Sequence, residues 1–340
     1  MRFRTLFYRR TMPQFCITSR QPLPCWDLFS VGLRLLTLTV LLPMAILAAP
    51  VAGAKAKETE KDAPPEPITV NRTTRDGVKL SIRYFPGTED ENTIPIIIIH
   101  DWNEEGSDYE EVARFLQSQG YAVAIPDLRG HGDSTVRFNA RSGTSENLIP
   151  EKLRSSDMIN IIRNDLEETK RFLLQENNEK KLNLQKLCII GIGRGSLFGL
   201  NYAVKDWSHR DLVGLKQGKD IKAIVLISPV LSARGLSAKK ALEHAAFGGH
   251  ISMLIVAGNN KPALKNAKYI YNRLKKPRTV NDDDISKSTL FLKEKDTKLN
   301  GHKLLTEPEL NTQEILNAII ELRLRKASNI PWEERKRPGQ

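Results

Sequence analysis

Cysteine is scarce in this 340-residue chain, and its scarcity excludes a disulfide-stapled or zinc-stapled fold. Cys16 and Cys25 lie near the N-terminus, and only Cys188 lies in the body of the sequence. Because one thiol cannot close an intramolecular disulfide, the body must depend on its hydrophobic core. No Cys/His spacing of the zinc type occurs. Cys188 stands in the apolar run Leu-Cys-Ile-Ile, which predicts a buried and unreactive thiol.

A concentrated basic patch is also absent, although the net charge is +12. Lysine and arginine are spread along the chain without a nucleic-acid reader motif, so a solvated basic surface is favoured over nucleic-acid binding. The acidic triplet at residues 282–284 lacks the alternating spacing of a calcium loop. The sequence therefore predicts no metal and no cofactor.

An apolar run of the about 20 residues that span a bilayer is missing as well. The longest candidate, residues 35–49, contains Pro43 and follows a flank rich in arginine. Small residues follow it at positions 52–54 (Ala-Gly-Ala), which completes the order of a secretory signal peptide. We therefore predict a signal peptide over residues 1–54 and export to the periplasm or the medium. Two alternatives stay open: an uncleaved N-terminal membrane anchor, and a true start at Met12.

The rest of the chain alternates strand and helix patterns. Residues 55–67 are polar and proline-bearing, which predicts a flexible linker, and residues 327–340 are predicted to form a flexible tail. Between them, residues 68–326 are predicted to form an α/β domain with a doubly wound, mainly parallel sheet and helices on both faces. Strands are predicted at residues 68–70, 78–85, 94–99, 121–126, 187–190, 221–227, 251–256 and 289–292, and helices at residues 109–119, 157–174, 195–204, 263–274 and 315–324.

Four stretches share one feature, a predicted strand with the residues that lead into or out of it. They are residues 96–102 (Ile-Ile-Ile-Ile-His-Asp-Trp), 120–134, 187–196 and 251–258. The second is the most specific, since its end, Asp-Leu-Arg-Gly-His-Gly-Asp-Ser, is close to the pattern D-x-R-G-H-G-x-S. In this order they resemble the α/β-hydrolase superfamily, especially its branch of serine aminopeptidases and monoacylglycerol lipases. The resemblance covers residues 70–324 and implies the α/β-hydrolase fold.

The resemblance places the nucleophile elbow, Gly-x-Ser-x-Gly, on residues 191–195. Gly191 and Gly195 take the outer positions, and Gly193 stands where the family carries its serine. Glycine offers no nucleophile, and it accepts a positive φ without steric cost. The resemblance also implies that the backbone N–H groups of Trp102 and Arg194 form the oxyanion hole. An elbow without its reactive atom is favoured over a glycine-rich turn that merely packs.

The partners of the missing serine are incomplete too. The strand that delivers the acid in this family is followed here by Gly-Asn-Asn-Lys-Pro at residues 258–262, which contains no carboxylate. His302 lies where the family carries its catalytic base, and it is either a remnant or functional base or an incidental loop histidine. Ser196 is expected to cap backbone groups and Ser228 to end a strand, so neither is favoured as a substitute nucleophile.

His100 and His131 belong to turn signatures in the family and are expected to bond backbone groups. Only about twenty residues separate Pro229 from Ile251, which leaves no room for a large cap domain. Residues 135–154 are the best candidate for a flexible covering loop, whose Arg137 and Arg141 could meet an anionic ligand, although solvation is favoured.

Two functions from different classes follow. The first is a non-catalytic hydrolase-fold protein of the cell envelope that binds a small-molecule or protein ligand, with membrane contact only through an uncleaved N-terminal segment. The alternative is an active hydrolase of esters or amides with a non-standard nucleophile. A domain that serves only as a structural spacer is a third possibility.

Overall fold

The structure is a computed structural model, and it describes residues 63–210, 212–213, 216–278, 285–327 and 329–335. These residues belong to one compact unit, Thr59–Gln340. The predicted signal peptide, most of the predicted linker and the acidic triplet at residues 282–284 lie outside the described residues. Within the described ranges, no helix is both long and apolar enough to cross a membrane.

Short runs of apolar residues form the strands. The described chain forms β1 (Ile68–Thr73), β2 (Lys79–Phe85), β3 (Pro95–Ile99), β4 (Ala122–Pro126), β5 (Val136–Asn139), β6 (Thr144–Asn147), β7 (Leu187–Ile192), β8 (Ile221–Ile227), β9 (Ser232–Ala233), β10 (Leu236–Ser237), β11 (Ser252–Gly258) and β12 (Leu290–Lys295). Eight of them make one sheet in the order β1-β2-β4-β3-β7-β8-β11-β12. β2 pairs antiparallel with β1 and with β4, and the remaining neighbours are parallel. The predicted mainly parallel sheet is confirmed.

Helices connect the parallel strands. They are α1 (Glu110–Ser118), α2 (Ser155–Asn160), α3 (Leu166–Asn178), α4 (Arg194–Trp207), α5 (Ala238–Ala241), α6 (Lys261–Lys275), α7 (His302–Thr306) and α8 (Thr312–Ile320). One π-helical turn, Ile161–Asp165, joins α2 to α3, and another, Glu321–Arg325, follows α8. Short 3₁₀ turns cover Asp90–Asn92, Gly106–Tyr109, Pro150–Lys152, Leu184–Lys186, Ala245–Gly248, Ile285–Lys287 and Pro308–Leu310.

Side chains of β3 alternate between two hydrophobic cores, because successive residues of a strand point to opposite faces. Ile97 and Ile99 pack with the buried faces of α3, α4 and α6, whereas Ile96 and Ile98 pack with those of α1 and α8. The predicted helices on both faces of the sheet are therefore confirmed. Between β8 and β11 the chain forms only β9, β10, α5 and one short turn, so there is no large cap domain in this connection.

The turn after β4 is fixed by a buried arginine. The side chain of Arg129 has no exposed surface, and its guanidinium donates to Asp165 at 2.6 Å and to Asp76 at 2.6 Å. Asp76 lies in the β1–β2 turn and Asp165 in the π-helical turn, so one side chain joins three segments of the chain. This arrangement anchors the loops at the carboxyl ends of the central strands.

Two regions differ from the sequence-based expectation. Residues 135–154 do not form a structureless covering loop: β5 and β6 pair as an antiparallel hairpin, and Arg137 pairs with Glu146 and Asp157. Arg137, one of the two arginines that could meet an anionic ligand, is therefore ion-paired within the protein. The helix expected at residues 157–174 is instead divided by the π-helical turn that carries Asp165.

The described part of the C-terminal tail is held against the domain. Trp332 Nε1 donates to the carbonyl of Asn177 at 3.0 Å. The Arg335 guanidinium makes two bonds to the carboxylate of Asp220, at 2.6 and 3.0 Å, and both side chains are buried. These contacts place residues 329–335 against the domain, and the flexible tail over residues 327–340 stays a prediction.

Candidate functional site

The chain turns sharply between β7 and α4, and this turn carries the predicted elbow. Gly193 has φ 50° and ψ −115°, a backbone conformation that L side chains rarely adopt, and its N–H donates to the carbonyl of Ile227 at 2.9 Å. A Cβ on Gly195 would lie 2.1 Å from the carbonyl oxygen of Ile99, and one on Gly191 would lie 2.6 Å from the Cα of Ser196. Close backbone packing therefore requires glycine at both outer positions.

The carboxylate of Asp101 fills the space above Gly193. A Cβ built on Gly193 would lie 1.8 Å from Asp101 Oδ2 and 2.4 Å from Oδ1. Asp101 Oδ1 accepts hydrogen bonds from the backbone N–H groups of Trp102, at 2.7 Å, and Arg194, at 2.8 Å. The two N–H groups expected to form an oxyanion hole thus converge on one oxygen atom, and that oxygen belongs to the protein itself.

Glu104, Tyr109 and His302 lie beside this carboxylate. The N–H of Asp101 donates to Glu104 Oε2 at 3.3 Å, and the hydroxyl of Tyr109 donates to the same oxygen. Burial raises the pKa of Glu104; the Tyr109 hydrogen bond opposes this shift, and the nearby charge of Asp101 adds to it. The site therefore holds two neighbouring carboxylates, one of which is partly withdrawn from water.

His302 reaches the same neighbourhood without engaging it through hydrogen bonds. It is the first residue of α7, directly after Gly301, whose added Cβ would lie 3.9 Å from Asp101 Oδ2. Its ring packs edge-on against Tyr109, with the ring centroids 5.2 Å apart. Among the residues that the structure describes, no hydrogen-bond partner contacts the imidazole of His302. The geometry brings His302 near Gly193 but does not place it as an oriented base.

The end of β11 provides no acid for this histidine. After Gly258, Asn259 donates its N–H to the carbonyl of Thr297 at 2.7 Å and its side-chain amide to Asp296 at 2.9 Å, and α6 then begins at Lys261. Glu104, which comes from the loop after β3, lies close enough to His302 for the histidine to lower the pKa of that carboxyl slightly against the effect of burial. The orienting partner of a catalytic triad is therefore not formed from β11.

The two serines near the elbow hold backbone groups. Ser196 is fully buried, donates to the carbonyl of Gly193 at 2.6 Å and accepts from the N–H of Val230 at 3.2 Å. Ser228 accepts from the N–H of Gly301 at 3.0 Å. Both hydroxyls bond backbone groups, which agrees with the expectation that neither replaces the nucleophile.

The expectation for His100 and His131 is confirmed, since both rings bond the backbone. His100 Nε2 accepts from the N–H of Leu128 at 2.9 Å, so its Nδ1 carries the proton and donates to the carbonyl of Asp101 at 2.7 Å. Burial lowers the pKa of His100 to about 3, and His131 also has a lowered pKa through burial. The His100 ring thus stays neutral and fixes the loop that carries Asp101 against the turn after β4.

Outside the elbow, the described structure contains a groove and a buried thiol. A groove of about 1080 Å³ lies along α3, α4 and α5, away from the elbow, and is lined by residues such as Glu167, Asn201 and Lys240. Within the described ranges, no three His, Cys, Asp or Glu side chains form a group that could hold a metal ion. Cys188 is buried, and burial raises its pKa to about 12.

Sequence reasoning missed the role of Asp101, Glu104 and Tyr109. A signal for the first was present, because the family's strand ends in His-Gly and this chain has Asp101 directly after His100. A carboxylate in place of that glycine adds a side chain at the edge of the N–H pair. No motif marks Glu104 or Tyr109, whose proximity depends on the fold of the loop.

Comparison with known proteins agrees with this architecture. The profile of the serine aminopeptidase S33 family matches residues 91–289, more than half of the chain. No curated protein sequence matches it. Three solved structures share its fold: dienelactone hydrolase from Anabaena variabilis (16% identity, TM-score 0.50, 79% of this chain and 100% of that one), an esterase of Pyrococcus furiosus (15%, 0.51, 76% and 92%) and an esterase of Pyrobaculum calidifontis (12%, 0.53, 77% and 87%). The chain therefore belongs to the serine aminopeptidase S33 family of the α/β-hydrolase superfamily.

Proposed function

We propose that this protein is an exported member of the family without serine-hydrolase activity, whose former catalytic face binds a ligand or partner in the cell envelope. The observation that carries the proposal is the pair formed by Gly193 and Asp101. The first removes the nucleophilic atom, and the second fills the space and the hydrogen bonds that the reaction needs. Export is inferred from the signal-like order of residues 1–54.

Acyl transfer needs a nucleophile and two free donors for the oxyanion. In the serine mechanism, backbone N–H groups stabilise the negative oxygen of the tetrahedral intermediate, and losing one such donor costs on the order of 10²–10³ in kcat. Here both candidate donors bind Asp101 Oδ1. A fixed anion in this place also repels a second developing negative charge. The substitution at Gly193 and the presence of Asp101 therefore act against the same reaction independently.

The positions of the family's catalytic base and acid, His302 and the loop after β11, also support the proposal. A triad histidine needs a carboxylate that orients its ring and stabilises the imidazolium. The loop after β11 supplies asparagine and lysine instead, and His302 packs on Tyr109. Glu104 lies near His302, but its oxygen accepts from Tyr109 and from the Asp101 N–H. These contacts do not assemble a charge-stabilised base.

A fluorophosphonate probe tests the proposal, because it forms a covalent bond with activated serine hydroxyls. We expect the full-length protein to remain unlabelled, and to hydrolyse p-nitrophenyl esters no faster than buffer does. An active serine esterase labelled in parallel is the positive control. Asp101→Gly is the matched variant: it frees both N–H groups without adding a nucleophile, so it should also stay unlabelled. Labelling of any serine in the native chain, located by peptide mass spectrometry, would overturn the proposal and support the alternative of a non-standard nucleophile.

Export is tested separately by the N-terminus of the protein recovered from the cells that make it. Cleavage of a signal peptide predicts a first residue close to position 55. Recovery of an intact N-terminus in the soluble cytoplasmic fraction would contradict export, whereas an intact N-terminus in the membrane fraction would support the anchored alternative.

A further inference from the structure

Three loops meet around the indole ring of Trp102 at the carboxyl end of the sheet, next to Gly193. The guanidinium carbon of Arg194 lies 5.2 Å from the ring centroid, and that of Arg234 lies 5.4 Å from it. The ring of His131 packs edge-on at 4.7 Å. These residues come from the elbow, the β9–β10 turn and the turn after β4. Ligands of α/β proteins bind at this end of the sheet, where loops from several strands converge.

Among the described residues, neither of the two guanidinium groups is paired with a carboxylate. Two buried arginines elsewhere in the fold do pair with carboxylates, Arg129 with Asp165 and Arg335 with Asp220. In the described part of the chain, no carboxylate lies within ion-pair distance of Arg194 or Arg234. Asp101 lies close to Arg194 in the structure, but it accepts from the backbone N–H of that residue rather than from its side chain.

Arg234 is held in place by the segment that joins β6 to α2. One of its terminal nitrogens donates to the carbonyl of Leu153 at 2.6 Å and to that of Pro150 at 3.2 Å. These two bonds use a single nitrogen, so the other N–H groups of the guanidinium are left for a ligand. The side chain is therefore oriented before any ligand arrives, which lowers the entropy cost of binding.

The backbone at Arg234 is also unusual for an arginine. Arg234 has φ 40° and Gly235 has φ 89°, and two positive φ values in a two-residue hairpin are the pattern that favours Asn-Gly or Gly-Gly. A left-handed conformation is sterically unfavourable for a residue that carries a Cβ. Strained residues of this kind cluster at ligand sites, where the strain positions a side chain. The turn thus provides an observation independent of the charge.

We propose that Arg194 and Arg234 form a binding site on Trp102 for an organic oxyanion, a carboxylate or a phosphate, carried by an apolar body. The guanidinium groups bind the anionic oxygens, and the exposed part of the indole contacts the apolar body. The inference rests on the proposed function, since it assigns a ligand class to the former catalytic face. It needs no chemistry at Gly193.

Calorimetric titration of the full-length protein tests the site with three probes: octanoate, octyl phosphate and octanol. We expect at least one of the two anions to bind, the preferred one identifying carboxylate or phosphate, and octanol to bind at least about tenfold more weakly. Arg194→Ala and Arg234→Ala should each weaken anion binding by about tenfold or more, since each removes a charge-assisted contact. Arg114→Ala is the matched control, because Arg114 also lies over an aromatic ring, Phe85, at 6.0 Å but on helix α1.

Tryptophan fluorescence locates the bound probe. The anion should change the emission of the native chain, and Trp102→Phe should remove that change. Equal binding of octanol and the anions, or unchanged anion binding in both the Arg194 and Arg234 variants, would overturn the proposal, as would no binding of either anion. The fluorophosphonate experiment gives a separate result. A labelled serine would contradict the proposed function. An unlabelled protein that binds neither anion would contradict only this inference.

Discussion

Two neighbouring loops at the carboxyl ends of the central strands, the turn after β4 and the elbow, match the family pattern to different degrees. The turn after β4 retains its polar residues in bonded positions: Asp127 accepts from the N–H of Gly106 at 2.7 Å, and Ser134 accepts from the N–H of Ser81 at 2.9 Å. The elbow retains its outer glycines, but its central residue has no side chain. The hydrogen bonds that fix the turn after β4 therefore do not depend on a side chain at the centre of the elbow.

The turn should be the more sensitive of the two regions to substitution. Arg129→Met leaves the buried carboxylate of Asp165 without its partner, and breaking a buried pair in this way costs about 3–5 kcal/mol. Urea unfolding followed by tryptophan fluorescence measures the loss. Arg114→Met, which changes an exposed arginine, should cost less than about 0.5 kcal/mol. If the free energy of unfolding fell by less than about 1 kcal/mol in Arg129→Met, the turn after β4 would not be the more sensitive of the two loops.

At the elbow, introducing a serine at position 193 should destabilise the protein rather than make it active. In Gly193→Ser the new Cβ meets the Asp101 carboxylate, and the positive φ adds strain, so we expect the free energy of unfolding to fall by about 2–4 kcal/mol. The double variant Asp101→Gly/Gly193→Ser removes the clash and should recover at least half of this loss.

We also expect little or no serine-hydrolase activity in the same two variants. Gly193→Ser should show no fluorophosphonate labelling, and the double variant should at most label slowly, because His302 has no hydrogen-bonded carboxylate in the described structure. Rapid ester turnover in Gly193→Ser would contradict two statements: that Asp101 fills the space above residue 193, and that the loop after β11 provides no acid for His302.

The smallest expected effect is a dependence of stability on pH through His100, which links the turn after β4 to the loop that carries Asp101. Burial lowers its pKa from 6.5 to about 3, so the folded state resists protonation that the unfolded state accepts. The stabilisation is complete above about pH 6.5 and is lost as the pH falls toward 3. The free energy of unfolding should therefore drop by about 1.5 kcal/mol between pH 6.5 and 5 from this group.

His100→Gln should reduce this pH dependence, because glutamine can accept from the N–H of Leu128 but does not titrate. His250→Gln, at an exposed position, should leave the dependence as it is in the native chain. The two unfolding profiles are measured by urea titration at each pH. Identical slopes in the native chain and His100→Gln would show that the ring does not stay neutral in the fold.

Much of the fold could be predicted because its strands are apolar runs bounded by turn residues. The predicted strand at residues 221–227 matches β8, and the run at residues 94–99 gave β3 to within one residue. The hairpin β5–β6 could not be found this way, since β6 (Thr-Ser-Glu-Asn) is polar and exposed, so the short alternation Val-Arg-Phe-Asn of β5 has no apolar partner strand in the sequence. The contacts of residues 329–335 could not be predicted either, because Asn177 and Asp220 are distant in sequence.

The positions of the candidate site could be singled out from the sequence, whereas their contacts could not. Sequence reasoning pointed to Gly193, to the N–H groups of Trp102 and Arg194 and to the segment after β11 that contains no carboxylate, because each is a motif position, and the roles given to them stay predictions. It could not show that the Asp101 carboxylate turns toward those donors, since the direction of a loop side chain depends on the neighbouring backbone. For the same reason, the contact between His302 and Tyr109 appeared only in the structure.

A crystal structure of the full-length protein grown with phenylboronic acid tests the central claim most directly, because boronic acids form tetrahedral adducts with activated serines. The account predicts no adduct, with Asp101 Oδ1 within hydrogen-bond distance of the N–H groups of both Trp102 and Arg194. An adduct on any serine, with a boronate oxygen bound by those two N–H groups and Asp101 turned away, would contradict it.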